Sequence, residues 1–134
     1  KGPVGLEVQG ALTRAQDRLT AEHLVGIPPD QLALSLVGRP PPLGPLQETE
    51  LRVEVELNDR QRWVDPQSDI APPPPGYVLL GAAIETTLNL RLPLRIGIQG
   101  KNLLNTSYRE YTSLLRYYTD QPGWDLHIRV GTTF

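Results

Sequence analysis

Hydrophobic and polar side chains alternate strictly over the last eleven residues of the chain, from Trp124 to Phe134. Because successive residues of a β-strand point to opposite faces of the sheet, the apolar side chains share one face and the polar ones the other. At about 3.3 Å per residue the two aromatic ends lie roughly 33 Å apart, which a tilt near 45° reduces to about 24 Å. This is close to the apolar band of an outer-membrane barrel. The segment predicts a lipid-facing strand, with a soluble edge strand of a sandwich as the alternative.

Five earlier runs have the same period of two. Their apolar positions are Val4, Leu6, Val8, Gly10 and Leu12; Leu32, Leu34 and Leu36; Leu51, Val53, Val55 and Leu57; Val78, Leu80, Ala82, Ile84, Thr86, Leu88 and Leu90; and Leu94, Ile96 and Ile98. The parity of the third run continues to Trp63. Since no convincing helical period of 3.6 is found, the chain is predicted to be all-β, an antiparallel up-and-down meander of about six strands.

Proline clusters separate the runs, because proline cannot donate a hydrogen bond to a neighbouring strand. The long connecting segments are residues 15–29, 65–76 and 105–122, and the short ones are 39–45 and 91–93. Long external loops and short periplasmic turns are typical of outer-membrane barrels. In this orientation Trp63 and Trp124 lie at the outer membrane interface and Phe134 lies at the periplasmic rim, so these three are predicted to be membrane-interface aromatics.

Composition narrows the possible functions. The 134 residues suit one small domain, and a 39% hydrophobic content is low for a closed core. A net charge of −2, without a basic stripe, makes nucleic acid an unexpected partner. The sequence contains no run of about 18 apolar residues of the kind that predicts a transmembrane helix, but membrane-spanning strands stay possible. Since no apolar signal segment follows Lys1, we expect any export signal to be already removed or to lie upstream.

The residues give little support for catalysis, so the protein is not expected to be an enzyme and no catalytic residue is predicted. His23 and His127 are far apart in the sequence, and no nucleophile elbow or phosphate-binding loop is found. The absence of cysteine from the sequence removes thiolate metal sites and cysteine nucleophiles. Asp59, Asp65 and Asp69 lack the spacing of a calcium loop and are interpreted as a solvated acidic segment. No metal and no cofactor is expected.

The carboxyl-terminal third carries a family resemblance. Residues 100–111 (GKNLLNTSYREY), residues 115–123 (LRYYTDQPG) and the alternating strand up to a terminal phenylalanine together resemble the end of TonB-dependent outer-membrane receptors. The positions that match the family signature are Asn102, Leu103, Leu104, Asn105, Tyr108, Arg109, Pro122 and Gly123. Residues 24–30 (LVGIPPD) and 71–80 (APPPPGYVLL) extend the resemblance along the chain, which is strongest from residue 71 onward.

The resemblance implies a plugged transmembrane β-barrel of 22 strands in the outer membrane, of which this chain supplies about the last six. Such receptors import scarce nutrients, for example iron chelates or cobalamin, with energy delivered by TonB. The implied partners are the remainder of the barrel and the plug, the TonB complex through that plug, membrane lipid and the transported small molecule. The barrel assembly machinery would read the last strand, with Phe134 as the decisive residue.

The segment from 105 to 122 combines aromatic and guanidinium groups at the predicted cell surface. Stacking and bidentate hydrogen bonds could hold an anionic or aromatic ligand there. The residues predicted to bind it are Tyr108, Tyr111, Arg116, Tyr117 and Tyr118, with Arg109 close by. The alternative is that these side chains pack the loop against its neighbours.

Charged residues on the polar face of the strands, Arg52, Glu54, Glu56, Arg95, Lys101 and Arg129, are predicted to line the barrel lumen. A rival interpretation is a soluble, lipocalin-like barrel or sandwich that binds a small ligand inside. In that protein the aliphatic face would point inward and the charged face outward. The alternation itself is identical in the two cases, so it cannot decide which face meets water.

Overall fold

The computed structural model describes residues 2–65 and 67–132, and its architecture is all-β. Six antiparallel strands form one sheet in which each strand lies beside its neighbours in the sequence. The strands are β1 (Val4–Ala11), β2 (Gln31–Gly38), β3 (Leu46–Asn58), β4 (Tyr77–Asn89), β5 (Pro93–Lys101) and β6 (Asp125–Thr132), with a 3₁₀ helix at Leu114–Tyr117. The predicted up-and-down meander is confirmed. Among the described residues, no helix is both long enough and apolar enough to cross a membrane.

The strand registers bring the alternating apolar positions of the six strands onto one face. One row across the sheet joins Leu6, Leu36, Val53, Ala82, Gly100 and Leu126, and the next joins Val4, Gly38, Leu51, Ile84, Ile98 and Ile128. We call this side the aliphatic face and the opposite side the polar face. Among the described paired residues, the aliphatic face carries no charged side chain.

The two faces differ sharply in exposure. On the polar face of β2, Ser35 is 5% exposed and Val37 is fully buried. On the aliphatic face, Leu36 between them is 54% exposed, and its partner Val53 in β3 is 48% exposed. Long ionic side chains cover the polar face: Arg52, which is paired with Val37, reaches across to Glu7 at 2.6 Å. The crowded side of the sheet is therefore the polar one.

The strands are staggered along the sheet. β2 spans the β4 rows from Tyr77 to Ile84, whereas β5 spans those from Ala82 to Asn89. The windows therefore shift by five residues over three strand-to-strand steps. Five residues span roughly 16 Å along a strand and three steps span roughly 14 Å across the sheet, which corresponds to a local tilt of roughly 49°. β1 spans the same rows as β2, and β6 spans nearly the same rows as β5. The tilt averaged over all six strands is therefore about 30°.

Connections of different length lie at the two ends of the sheet. The long loops are residues 12–30, 59–76 and 102–124, which we call the first, second and third long loops. The short turns are residues 39–45 and 90–92, at the other end. The predicted separation of long and short connections is confirmed.

The course of β3 differs from the prediction at both ends. It begins at Leu46, before the first alternating position at Leu51, because a bulge between Gln47 and Glu50 interrupts the alternation. It ends at Asn58, where the second long loop returns so closely that a Cβ on Gly76 would lie 2.6 Å from the Asn58 carbonyl oxygen. The prediction that strand parity continues to Trp63 is therefore wrong, and Trp63 lies in the second long loop.

Candidate functional site

The base of the third long loop is held by two asparagines in left-handed conformations, with φ of 48° at Asn102 and 52° at Asn105. The Asn102 amide donates to the Thr106 carbonyl and accepts from the Thr106 N–H, both at 2.9 Å. Short polar side chains that form such local bonds tolerate positive φ better than most residues. These contacts turn the chain sharply as β5 ends.

The carboxyl-terminal end of the signature, at Gly123, lies against the same base. The Asn105 side-chain oxygen accepts the Trp124 N–H at 3.2 Å, and a Cβ on Gly123 would collide with that oxygen. The Leu103 N–H donates to the Leu80 carbonyl at 2.8 Å, which ties the base to β4. Several positions that match the family signature therefore make hydrogen bonds or close contacts at the base of this loop.

The two arms of the third long loop are joined above that base. Arg109 contacts Asp120 at 2.5 Å, and Ser107 donates a hydrogen bond to the same carboxylate. The hydrogen bonds from Ser107 and Arg109 lower the pKa of Asp120. The Gln121 N–H also donates to the Tyr108 carbonyl at 2.9 Å. The loop is therefore a braced hairpin.

The tip of the hairpin is fastened to the second long loop by a buried ion pair, which we call the latch. Arg116 Nη2 lies 2.7 and 2.6 Å from the two Asp69 oxygens, and their side chains are 4% and 1% exposed. The Tyr117 and Tyr111 hydroxyls also donate to Asp69, at 2.7 and 3.1 Å. The guanidinium carbon lies 4.4 Å from the Tyr111 ring centroid and 4.3 Å from that of Tyr117, within cation–π range.

The latch favours the ionised form of Asp69. Burial alone would raise the pKa of this carboxyl group, but the hydrogen bonds from Arg116, Tyr117 and Tyr111 outweigh that effect and lower it to about 2. A carboxylate that accepts several hydrogen bonds beside a cation behaves in this way. The interpretation of Asp69 as part of a solvated acidic segment is therefore wrong.

The first long loop joins the same assembly, which we call the three-loop cap. Arg14 pairs with Asp30 at 2.5 Å, and its guanidinium carbon lies 4.8 Å from the Trp63 ring centroid. The His23 ring also contacts Trp63, with the two ring centroids 5.9 Å apart in an edge arrangement.

A cavity of about 400 Å³ lies on the polar face beneath the third long loop. Its floor comes from β3, β4 and β5, and Tyr108, Glu110 and Pro122 cover it from the loop. Its charged lining residues are Arg52, Glu54, Glu56, Lys101, Glu110 and Asp125. With four carboxylates and two cations among these residues, the cavity lining is net acidic.

The predicted ligand-binding residues are divided among different surroundings. Tyr111, Arg116 and Tyr117 belong to the latch. Tyr108 lines the cavity and stacks on Tyr77 with centroids 4.4 Å apart, whereas Tyr118 is 83% exposed. Ligand binding by this group stays a prediction, but the packing of three of its members against a second loop is a property of the fold.

Of the predicted interface aromatics, Trp63 is 49% exposed and Trp124, immediately before β6, is 64% exposed. Phe134 lies outside the described residues. Asp59 and Asp65 do not join Asp69: Asp59 pairs with Arg62 at 3.2 Å, and Asp65 accepts the Gln67 N–H at 2.9 Å. In the described parts of the chain, no group of three or more His, Cys, Asp or Glu side chains is arranged to hold a metal ion.

The predicted lumen charges all lie on the polar face, and the structure pairs some of them. Arg52 contacts Glu7 and Glu50, and Arg95 contacts Glu85 at 2.8 Å. Neither Glu110 as a cavity residue nor Asp69 as the acidic partner in the latch was predicted from the sequence. No local signal assigns this role to Asp69, because its partner Arg116 is 47 residues away.

No protein-family model matches the chain, and no curated protein or solved structure is significantly similar to it. The fold and site therefore define the class by themselves: an antiparallel six-stranded sheet with an exposed aliphatic face, a charged face and a braced cap of three loops at one end.

Proposed function

We propose that this chain is the carboxyl-terminal wall segment of a TonB-dependent outer-membrane receptor, where it helps to import a scarce nutrient such as an iron chelate or cobalamin. The observation that carries the proposal is the uncovered aliphatic face. Leu6, Leu36 and Ile128 on it are 70%, 54% and 67% exposed. A contiguous apolar surface of this kind requires a partner, and hydrocarbon chains fit one that runs across all six strands.

The shape of the sheet supports a barrel wall. The local tilt of roughly 49° and the average of about 30° bracket the 35–45° of transmembrane barrels. The two outer strands, β1 and β6, each pair on one side only within the described chain. In a barrel of about 22 strands, the remainder of the receptor would pair with these edges and the plug would face the charged side.

The soluble, lipocalin-like alternative is less compatible with the position of the cap. That alternative needs the aliphatic face inside, whereas the third long loop folds over the polar face, where Tyr108 and Glu110 cover the cavity. The small residues Ser35 and Val37 are also buried on the polar side. We therefore assign the polar face to the interior of the barrel and the aliphatic face to lipid.

Two adjacent residues of β6 test which face meets lipid. Ile128 lies on the aliphatic face and His127 on the polar face, and the chain has no cysteine of its own. In outer membranes from cells expressing the complete protein, Ile128→Cys should react with a membrane-soluble maleimide and His127→Cys with a charged one. Peptide mapping would locate each label. Preferential labelling of Ile128→Cys by the charged reagent would contradict the proposal.

The transport role has a separate test. Uptake of the nutrient whose scarcity induces the gene should stop in a strain that lacks TonB and should also stop when the proton gradient is collapsed. Uptake that continues in both conditions would overturn the transport role and leave the membrane location untouched. The proposed function also includes assembly through the last strand, for which deletion of Phe134 should reduce the amount of inserted protein.

A further inference from the structure

We propose that the third long loop forms a lid over the polar-face cavity and that the Asp69–Arg116 latch, which fastens the tip of this loop to the second long loop, keeps the lid closed. The inference goes beyond nutrient transport and does not depend on the medium around the aliphatic face. It rests on three features: the cover over the cavity, the way the third long loop is attached, and the burial of the latch.

The third long loop is the cover. Tyr108, Glu110, Pro122 and Gly123 line the cavity together with strand residues such as Leu79 and Gly81. Its arms are joined through Asp120, so the hairpin can move as a unit rather than fray from one side. Displacement of the hairpin would open the cavity toward the loop end of the sheet.

Two sets of contacts attach this hairpin to the remainder of the chain. At the base, the Leu103 N–H and the Thr106 hydroxyl donate to the Leu80 and Val78 carbonyls of β4, at 2.8 and 3.2 Å. At the tip, Arg116 binds Asp69 of the second long loop. Release of the tip would leave the hairpin held mainly at its base and at the Tyr108–Tyr77 ring contact. The latch is therefore placed to control the lid.

The latch is suited to two discrete states. Both ionic side chains are almost fully buried, and the guanidinium group is flanked by the Tyr111 and Tyr117 rings. Removing one partner of such a pair leaves an unpaired buried charge, which strongly destabilises the closed arrangement. At an intermediate separation, Asp69 and Arg116 would lose their hydrogen bonds without becoming fully hydrated. The tip of the hairpin is therefore either bound to Asp69 or fully released.

Cysteine accessibility tests the lid directly, because the sequence contains no cysteine. The probe is Leu79→Cys on the cavity floor, and the reference is His127→Cys, a 63% exposed polar-face position outside the cavity. The reagent is a small cationic methanethiosulfonate, which suits the acidic lining. We expect Asp69→Asn, and independently Arg116→Gln, to raise the modification rate at residue 79 by about tenfold or more. Asp65→Asn, an acidic control in the same loop, should leave it unchanged.

The reference position separates lid opening from general unfolding. Faster modification at residue 79 with an unchanged rate at residue 127 supports the lid. Equal acceleration at both positions would overturn it, because the sheet and not the lid would have opened. Unchanged rates at residue 79 in both latch variants would also overturn it, because the cavity would then be reached by a route that the latch does not control.

Discussion

Placing a charge in the middle of the aliphatic face is the sharpest test of the proposed barrel wall. Ile98 lies on this face between Ile84 and Ile128, and it is 39% exposed. Gln99, the next residue of β5, lies on the polar face between Ala83 and His127. Ile98→Arg and Gln99→Arg therefore introduce the same side chain one position apart, on opposite faces of one strand.

The expected difference follows from the two surroundings. An arginine facing hydrocarbon near the bilayer midplane destabilises a transmembrane barrel by about 2–4 kcal/mol. This corresponds to roughly a 30-fold to 700-fold loss in the folding equilibrium. Residue 99 lines the net acidic cavity, where an added cation is solvated and faces carboxylates. The effect of Gln99→Arg should stay within about 0.5 kcal/mol.

The assay is urea unfolding of the complete protein folded into phospholipid vesicles, followed by tryptophan fluorescence, together with the amount recovered in outer membranes. Ile98→Arg should lower both the unfolding midpoint and the recovered amount, while Gln99→Arg should resemble the unmodified protein. Equal effects of the two substitutions would refute the assignment of faces. Cooperative folding of the chain in water without detergent would refute the membrane wall itself.

Two further predictions concern the third long loop. Gly123→Ala should destabilise the loop base by about 1–3 kcal/mol, because the new Cβ would collide with the Asn105 side-chain oxygen. Hydrogen exchange at the Trp124 amide should then accelerate. The control Gly131→Ala, which has open space around it, should leave this exchange rate unchanged. The pKa of Asp69 in the folded protein is about 2, below its usual 3.8, so the latch should contribute roughly 2 kcal/mol that is fully present above about pH 4 and lost as the pH falls toward 2. Hydrogen exchange in residues 111–119 should follow this acid profile in the unmodified protein, and the same profile in Asp69→Asn would contradict the assignment.

The signature of the third long loop shows how a pattern acquires a physical meaning only in the fold. Asn105 and Gly123 stand out in the sequence by resemblance to a family, without an evident reason for either residue type. In the structure the asparagine adopts a left-handed conformation, and its side-chain oxygen occupies the place where a larger residue at 123 would put its Cβ. The two positions belong to one contact across the base of the hairpin.

The sequence by itself determined the strands, their faces and the ends at which the long loops lie. These features are local, because alternation with a period of two assigns each residue to a face and proline clusters interrupt pairing. Its predictions were weakest where the alternation breaks, at the bulge before Glu50, and where β3 ends before Trp63.

Only the tertiary structure decided which side of the sheet is crowded and which residues of the loops meet. Either face of an alternating strand can be the inner one, so the choice depends on the curvature and covering of the whole sheet. The latch joins Asp69 to Arg116 across 47 residues, and neither position carries a local pattern that identifies the other. Such contacts arise when the meander brings separate loops to the same end of the sheet.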